Sequence, residues 1–176
     1  MEVGETEALV WGEGDYGVVM AHGAAYDAAS WEKQARRISG EGMIALAVED
    51  TSPRNLLAAV EYLKEERGAE GVALLGASAG GSDALRTARE NPRVADQLIL
   101  LSATGKTSGL GEGPKLFVAS EGEGITGEVR RMAEEAPRGR NEALVLPGDA
   151  HAQATFETEE GERLVQDILE RLEEYG

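Results

Sequence analysis

An α/β fold built on a mostly parallel sheet of about seven strands, flanked by helices, is the class this sequence predicts. Three observations predict it. Short apolar runs alternate with amphipathic stretches along all 176 residues, the order of strands joined by helical crossovers. The runs, such as Val18-Val19-Met20-Ala21 and Ile44-Ala45-Leu46-Ala47-Val48, are continuously apolar, as strands covered on both faces are. The 23 glycines fall mostly between these segments, where they mark tight turns rather than disorder.

The elements follow in order. Residues 8–11 read as a short edge strand, and Gly12-Glu13-Gly14-Asp15 as a turn. Residues 16–21 form the second strand, which ends in the small-residue loop His22-Gly23-Ala24-Ala25-Tyr26. Asp27 or Ser30 caps the next helix, which places Ala28, Trp31, Ala35 and Ile38 at helical spacing and closes at Gly40-Glu41-Gly42. Residues 43–48 are the third strand. Ser52 as N-cap and Pro53 at the first helical position open a helix whose buried stripe is Leu56, Leu57, Val60 and Leu63. Residues 72–75 are the fourth strand, and a helix over 80–90 stops before Asn91-Pro92. Strands follow at 97–101, 115–119 and 142–146, with a loop of Gly, Ser and Thr over 102–113 and a helix over 126–136. The last helix, 159–175, carries the stripe Leu164, Val165, Ile168, Leu169 and Leu172. No repeat or linker divides the chain, so residues 1–176 are expected to form one domain.

Bulk composition narrows the function. The formal net charge of −16 argues against nucleic-acid binding and against docking on anionic membranes. There is no cysteine, which excludes disulfides, thiol catalysis and Cys-ligated zinc. Two histidines far apart, without His-x-x-x-His spacing, make a poor metal site. The first residues have neither a basic region nor an apolar core of a signal peptide. No apolar run approaches the roughly 18 residues of a membrane span. These features predict a cytoplasmic protein with a small-molecule partner and no cofactor, and they leave its oligomeric state open.

One stretch carries chemistry. Gly76-Ala77-Ser78-Ala79-Gly80 runs from a strand into a helix and matches Gly-x-Ser-x-Gly, the pattern of a nucleophile elbow. A sharp turn there projects the serine hydroxyl, and the N-terminus of the following helix points at charge developing beside it. A serine hydroxyl is barely ionised near neutral pH and needs a base. Both histidines follow strands: His22 the second, His151 the seventh. Glu121 and Glu123 follow the sixth. In parallel sheets ligands bind at the carboxyl ends of strands, which is where all of these residues fall.

In this order the chain resembles a small member of the α/β-hydrolase superfamily: His22-Gly23 after a strand, Gly76-x-Ser78-x-Gly80 at the elbow, an acid after the sixth strand, His151 after the seventh. The resemblance spans nearly the whole chain, and the short length is similar to dienelactone-hydrolase-like and small carboxylesterase branches, although dienelactone hydrolases use cysteine. It implies Ser78 as nucleophile, His151 as base and an acid that orients it. Glu123 matches the acidic position, with Glu121 the alternative. It implies oxyanion donors at Ala79 and Ala24, with His22, Gly23 and Tyr26 at the substrate pocket and His22 bracing its loop. Residues 102–113 are too short for a lid domain, so an open site is expected. The implied activity is hydrolysis of a small carboxylic ester or thioester through an acyl-enzyme. Acyl transfer by the same residues, and a non-catalytic binder of the same fold, are the alternatives.

Overall fold

The computed structural model describes residues 1–176. Its eight strands are β1 (Glu2–Val3), β2 (Thr6–Trp11), β3 (Tyr16–Ala21), β4 (Ile44–Val48), β5 (Gly71–Ala77), β6 (Gln97–Leu101), β7 (Lys115–Ser120) and β8 (Asn141–Leu146). They form one sheet in the order β1-β2-β4-β3-β5-β6-β7-β8. The β1–β2 and β2–β4 pairs are antiparallel, and all other neighbours are parallel. The helices are α1 (Glu32–Gly40), α2 (Pro53–Glu65), α3 (Ala79–Glu90), α4 (Thr126–Glu135) and α5 (Gly161–Tyr175).

The two faces of the sheet explain why the strands are apolar throughout. Successive side chains of a strand point to opposite faces. In β4, Ile44, Leu46 and Val48 face the layer that also holds Leu56 and Leu63 of α2, Leu85 of α3 and Val129 of α4. Ala45 and Ala47 face the other layer, with Ile38 of α1, Leu164 and Leu172 of α5, and Trp31. Each layer is a separate apolar cluster, of 26 and 23 buried residues, so neither set of strand positions can be polar. A leucine as completely buried as Leu63 or Leu172 contributes about 1.5–3 kcal/mol relative to an exposed one.

The structure departs from the sequence reading in several places. An eighth strand, β1, is two residues long and pairs only Glu2 with Glu7 and Val3 with Thr6. Two residues hold no periodic signal. As a result β2 lies between β1 and β4 and is not the edge. The first helix begins as a separate 3₁₀ turn, Ala28–Trp31, capped by the Asp27 side chain accepting from the Ser30 N–H. Pro53 does take the first position of α2, but the Ser52 side chain makes no capping bond. Leu57 is only half-buried, whereas Leu56, Val60 and Leu63 are buried. Two more 3₁₀ turns, Glu121–Glu123 and Ala152–Glu157, form in segments read as loops. Between β6 and β7 no helix or strand forms, so no lid covers the carboxyl end of the sheet. No helix is long and apolar enough to cross a membrane.

Candidate active site

The site is built on the turn between β5 and α3. Ser78 has φ 51° and ψ −116°, a conformation that costs a non-glycine residue about 1–3 kcal/mol. The surroundings over-determine it. The Ser78 N–H donates to Leu101 O at 2.9 Å, tying the turn to the end of β6, and the Ser82 N–H donates to Ser78 O at 2.9 Å as α3 starts. The two glycines of the motif are needed for close approach. A Cβ on Gly80 would lie 2.4 Å from the Ala21 and His22 carbonyl oxygens, and one on Gly76 would lie 2.7 Å from Gly80 O. A side chain at Gly80 pushes the turn off the end of β3, and one at Gly76 pushes the start of α3 off β5.

Two loops complete a hydrogen-bonded line. His151 follows β8 and places Nε2 2.7 Å from Ser78 Oγ. Its Nδ1 lies 2.7 Å from Glu123 Oε1, at the end of the 3₁₀ turn after β7. A carboxylate only accepts, so the proton of neutral His151 sits on Nδ1 and the Nε2 lone pair faces the Ser78 hydroxyl. Glu123 is itself held by a capping box, its Oε2 accepting from the Ser120 N–H at 2.7 Å. The same oxygen accepts from Ser102 Oγ at 3.0 Å. The Glu123 side chain is 6% exposed and that of His151 59%, so the carboxylate is enclosed while the imidazole reaches solvent. Glu121, the alternative acid, is exposed and makes no bond to His151.

Sequence reasoning missed Ser102. It follows β6, has φ 52°, and accepts from the Ala152 N–H at 2.8 Å while donating to Glu123. One hydroxyl thus joins the Glu123 carboxylate to the segment carrying His151. The only signal was a polar residue closing an apolar strand, which is common to many loops. The loops after β7 and β8 are also joined directly, by Gly122 N–H to Gly148 O at 2.8 Å and Ser120 Oγ to Ala150 O at 2.7 Å.

The loop after β3 closes the other side. A Cβ on Gly23 would lie 3.6 Å from Ser78 Cβ and 3.5 Å from the Tyr26 ring, which places all three around one spot. Tyr26 is 40% exposed, one of few large apolar groups at the surface. His22 is turned away from Ser78 and braces the loop: Nδ1 is 2.8 Å from Gly23 O and Nε2 2.7 Å from Glu49 O. The Gly23 N–H donates to Gln153 Oε1 at 2.8 Å. The Ala24 N–H makes no hydrogen bond within the protein. Ala79 is the first residue of α3, where a backbone N–H has no acceptor in its own helix. Gln153, like Ser102, carried no sequence signal, since its partner Gly23 is 130 positions away. No group of three or more His, Asp and Glu side chains is placed to hold a metal ion.

No protein-family model matches the chain, and no curated protein matches it in sequence. Solved structures do match it in shape. Dienelactone hydrolase from Anabaena variabilis superposes with TM-score 0.84 at 18% identity, over 99% of this chain and 94% of that one. Monoacylglycerol lipase from Paleococcus ferrophilus gives 0.77 at 17% identity, over 98% and 100%. An α/β-hydrolase enzyme from the sediment metagenome of the Mar Chica lagoon, Morocco, gives 0.72 at 18% identity, over 97% of each chain. At these identities the likeness is one of fold.

Proposed function

We propose that this chain, which has the α/β-hydrolase fold, is a serine hydrolase that cleaves a small carboxylic ester or thioester. The observation that carries the reading is the line Ser78 Oγ, His151 Nε2, His151 Nδ1, Glu123 Oε1, with both hydrogen bonds at 2.7 Å. Ser78 Oγ attacks the acyl carbon as its proton passes to His151 Nε2. Glu123 holds the tautomer and stabilises the imidazolium. The carbonyl oxygen becomes an oxyanion and accepts from the Ala79 and Ala24 N–H groups, with the N-terminus of α3 adding its positive dipole end. The intermediate collapses, and the leaving alcohol or thiol takes the proton from His151. Water then attacks acyl-Ser78, giving its proton to His151, and the acid product leaves as Oγ is reprotonated.

Two features support a small substrate. No lid lies between β6 and β7, and His151 is largely exposed, so there is little enclosed apolar surface to hold a long acyl chain. The test is a short-chain nitrophenyl ester with stopped-flow detection, paired with a fluorophosphonate and peptide mapping. The expected result is a burst of nitrophenol stoichiometric with enzyme and a label on Ser78. Folded protein that neither hydrolyses the ester nor takes up the label overturns the proposal.

A further inference from the structure

Gln153 has no part in the hydrogen-bonded line, yet it is a buried polar side chain, 5% exposed, with both ends of its carboxamide engaged. Oε1 accepts from the Gly23 N–H at 2.8 Å, and Nε2 donates to Ser30 Oγ at 2.8 Å. The amide orientation follows from its partners, since a backbone N–H can only donate. Ser30 is locked in turn: its hydroxyl donates to Asp27 O at 2.5 Å and its N–H to Asp27 Oδ1 at 2.9 Å. The chain of bonds therefore runs from the start of the β3 loop, through Gln153, to the 3₁₀ turn that ends the same loop.

Its place in the sequence matters as much. His151, Ala152 and Gln153 are consecutive, and each bonds a different part of the site. His151 reaches Ser78 and Glu123, the Ala152 N–H reaches Ser102, and Gln153 reaches Gly23. By taking the Gly23 N–H, Gln153 fixes the His22–Gly23 peptide, which adjoins the peptide carrying the unbonded Ala24 N–H. We infer that Gln153 is a positioning residue: it pegs the oxyanion-donor loop to the segment carrying the base, so that the Ala24 N–H and His151 Nε2 keep one register about Ser78. The inference rests on the hydrolase reading above. It follows that losing Gln153 weakens contacts made to the tetrahedral oxyanion while leaving ground-state binding intact, because only a misplaced oxyanion donor discriminates between the two.

The experiment compares wild type with Gln153→Met, Ser30→Ala and Ser30→Thr. It measures kcat and KM on a short nitrophenyl ester, the inhibition constant of a trifluoromethyl ketone that mimics the tetrahedral species, and thermal melting. Gln153→Met keeps the length and removes both hydrogen bonds. The expected result is a roughly 10- to 100-fold fall in kcat, short of the roughly 10²- to 10³-fold for outright loss of an oxyanion donor, because the donor is displaced and not removed. KM should stay within about twofold, and ketone affinity should weaken by a factor matching kcat. Ser30→Ala, which frees the Nε2 end only, is expected to lose less of both, and Ser30→Thr to restore them. A folded Gln153→Met enzyme with wild-type kcat and ketone affinity overturns the inference and leaves the hydrolase reading standing. So does a loss of kcat with unchanged ketone affinity. If Gln153→Met does not fold, Ser30→Ala decides, and wild-type values there overturn the inference as well. Wild-type protein without ester hydrolysis sinks the hydrolase reading and this inference with it, before any variant is made.

Discussion

The two ends of the sheet solve the same problem, how to turn a chain, differently: glycine alone takes positive φ at the amino ends, whereas at the carboxyl ends Gly124 and Gly148 share it with non-glycine residues. At the amino ends of the strands, positive φ is taken by glycine: Gly12 and Gly14 before β3, Gly42 before β4, Gly68 before β5. The polar groups there are buried cations and a hydroxyl, held by backbone carbonyls and by neighbouring side chains. Lys115 Nζ donates to Gly113 O at 2.6 Å and Pro137 O at 3.2 Å, and burial lowers its pKa. Tyr16 accepts from Gln97 Nε2 at 2.9 Å. Arg171, its pKa lowered first by burial, donates to Lys115 O at 3.0 Å and to Glu142 Oε2 at 3.0 Å. At the carboxyl ends, all three non-glycine residues with positive φ occur, Ser78, Ser102 and Ala152, one after each of β5 and β6 and one after His151. Glycine would relieve the strain at Ser78 and Ser102, but it would remove the hydroxyls. The difference teaches which end is tuned for stability and which holds side chains in place against it.

The comparison breaks most visibly if the carboxyl end proves inert. Ser78→Ala and His151→Ala are each expected to lower kcat on a short nitrophenyl ester by more than about 10³-fold, while melting temperatures hold near wild type. Steady-state kinetics on folded protein checks both numbers, and a retained rate in either variant removes the substituted residue from the chemistry. Glu123→Gln keeps the shape but can turn an amide N–H toward His151 Nδ1, favouring the wrong tautomer. A fall in kcat of about 10²- to 10⁴-fold is expected, and a loss below tenfold would leave Glu123 with a structural role only.

The amino end is sharpened by pH. Burial, the largest cause, pushes the Tyr16 hydroxyl up to about 12, with the Gln97 hydrogen bond opposing and the nearby Asp96 charge adding to the rise. A raised pKa means the folded state keeps a proton that the unfolded chain releases. Tyr16 therefore carries no penalty below about pH 10, and stability falls as pH rises from about 10 to 12, by on the order of 3 kcal/mol in full. Urea melts at pH 9 and pH 11.5 should show a steeper alkaline loss for wild type than for Tyr16→Phe. Lys115 shifts the other way and only below its ordinary value, so the wild-type minus variant difference isolates the tyrosine. Identical alkaline losses would mean that the phenol is not buried as described.

The smallest expected effect tests strain directly. Ala152 has φ 51° and no side-chain bond to lose. Ala152→Gly should raise stability by about 0.5–1 kcal/mol, read as an increase in the urea midpoint. At the same time it should lower kcat a few-fold, because His151 and Gln153 flank that residue. A stability loss would show that the packing of the Ala152 methyl, which is 3% exposed, outweighs its backbone strain.

Much of the fold was legible because it rests on local pattern. Tyr16–Ala21 and Gln97–Leu101 match the expected strands residue for residue, since each is an apolar run bounded by turn residues. The elbow was legible for a different reason: Gly76 and Gly80 are demanded by backbone contacts only a few residues away or at a strand end. What escaped was either too short to have a period, like β1, or depended on partners far apart. The resemblance favours Glu123 over Glu121 by position, but no local pattern says which carboxylate turns inward. The choice was made by a capping box that turns Glu123 inward onto the Ser120 N–H and the Ser102 hydroxyl. Likewise Ser102 and Gln153 became visible only when loops from β3, β6, β7 and β8 met at one edge.

By itself, then, the sequence determined the strand and helix order, the parallel sheet and the end of it at which Ser78, Glu123 and His151 fall, because burial and turn chemistry act over a few residues. Which carboxylate faces His151, which N–H groups near Ser78 stay unbonded and which side chains lock the loops together were decided by tertiary structure alone. Those are hydrogen bonds across 21 to 130 positions, and no local pattern encodes the partner at that distance.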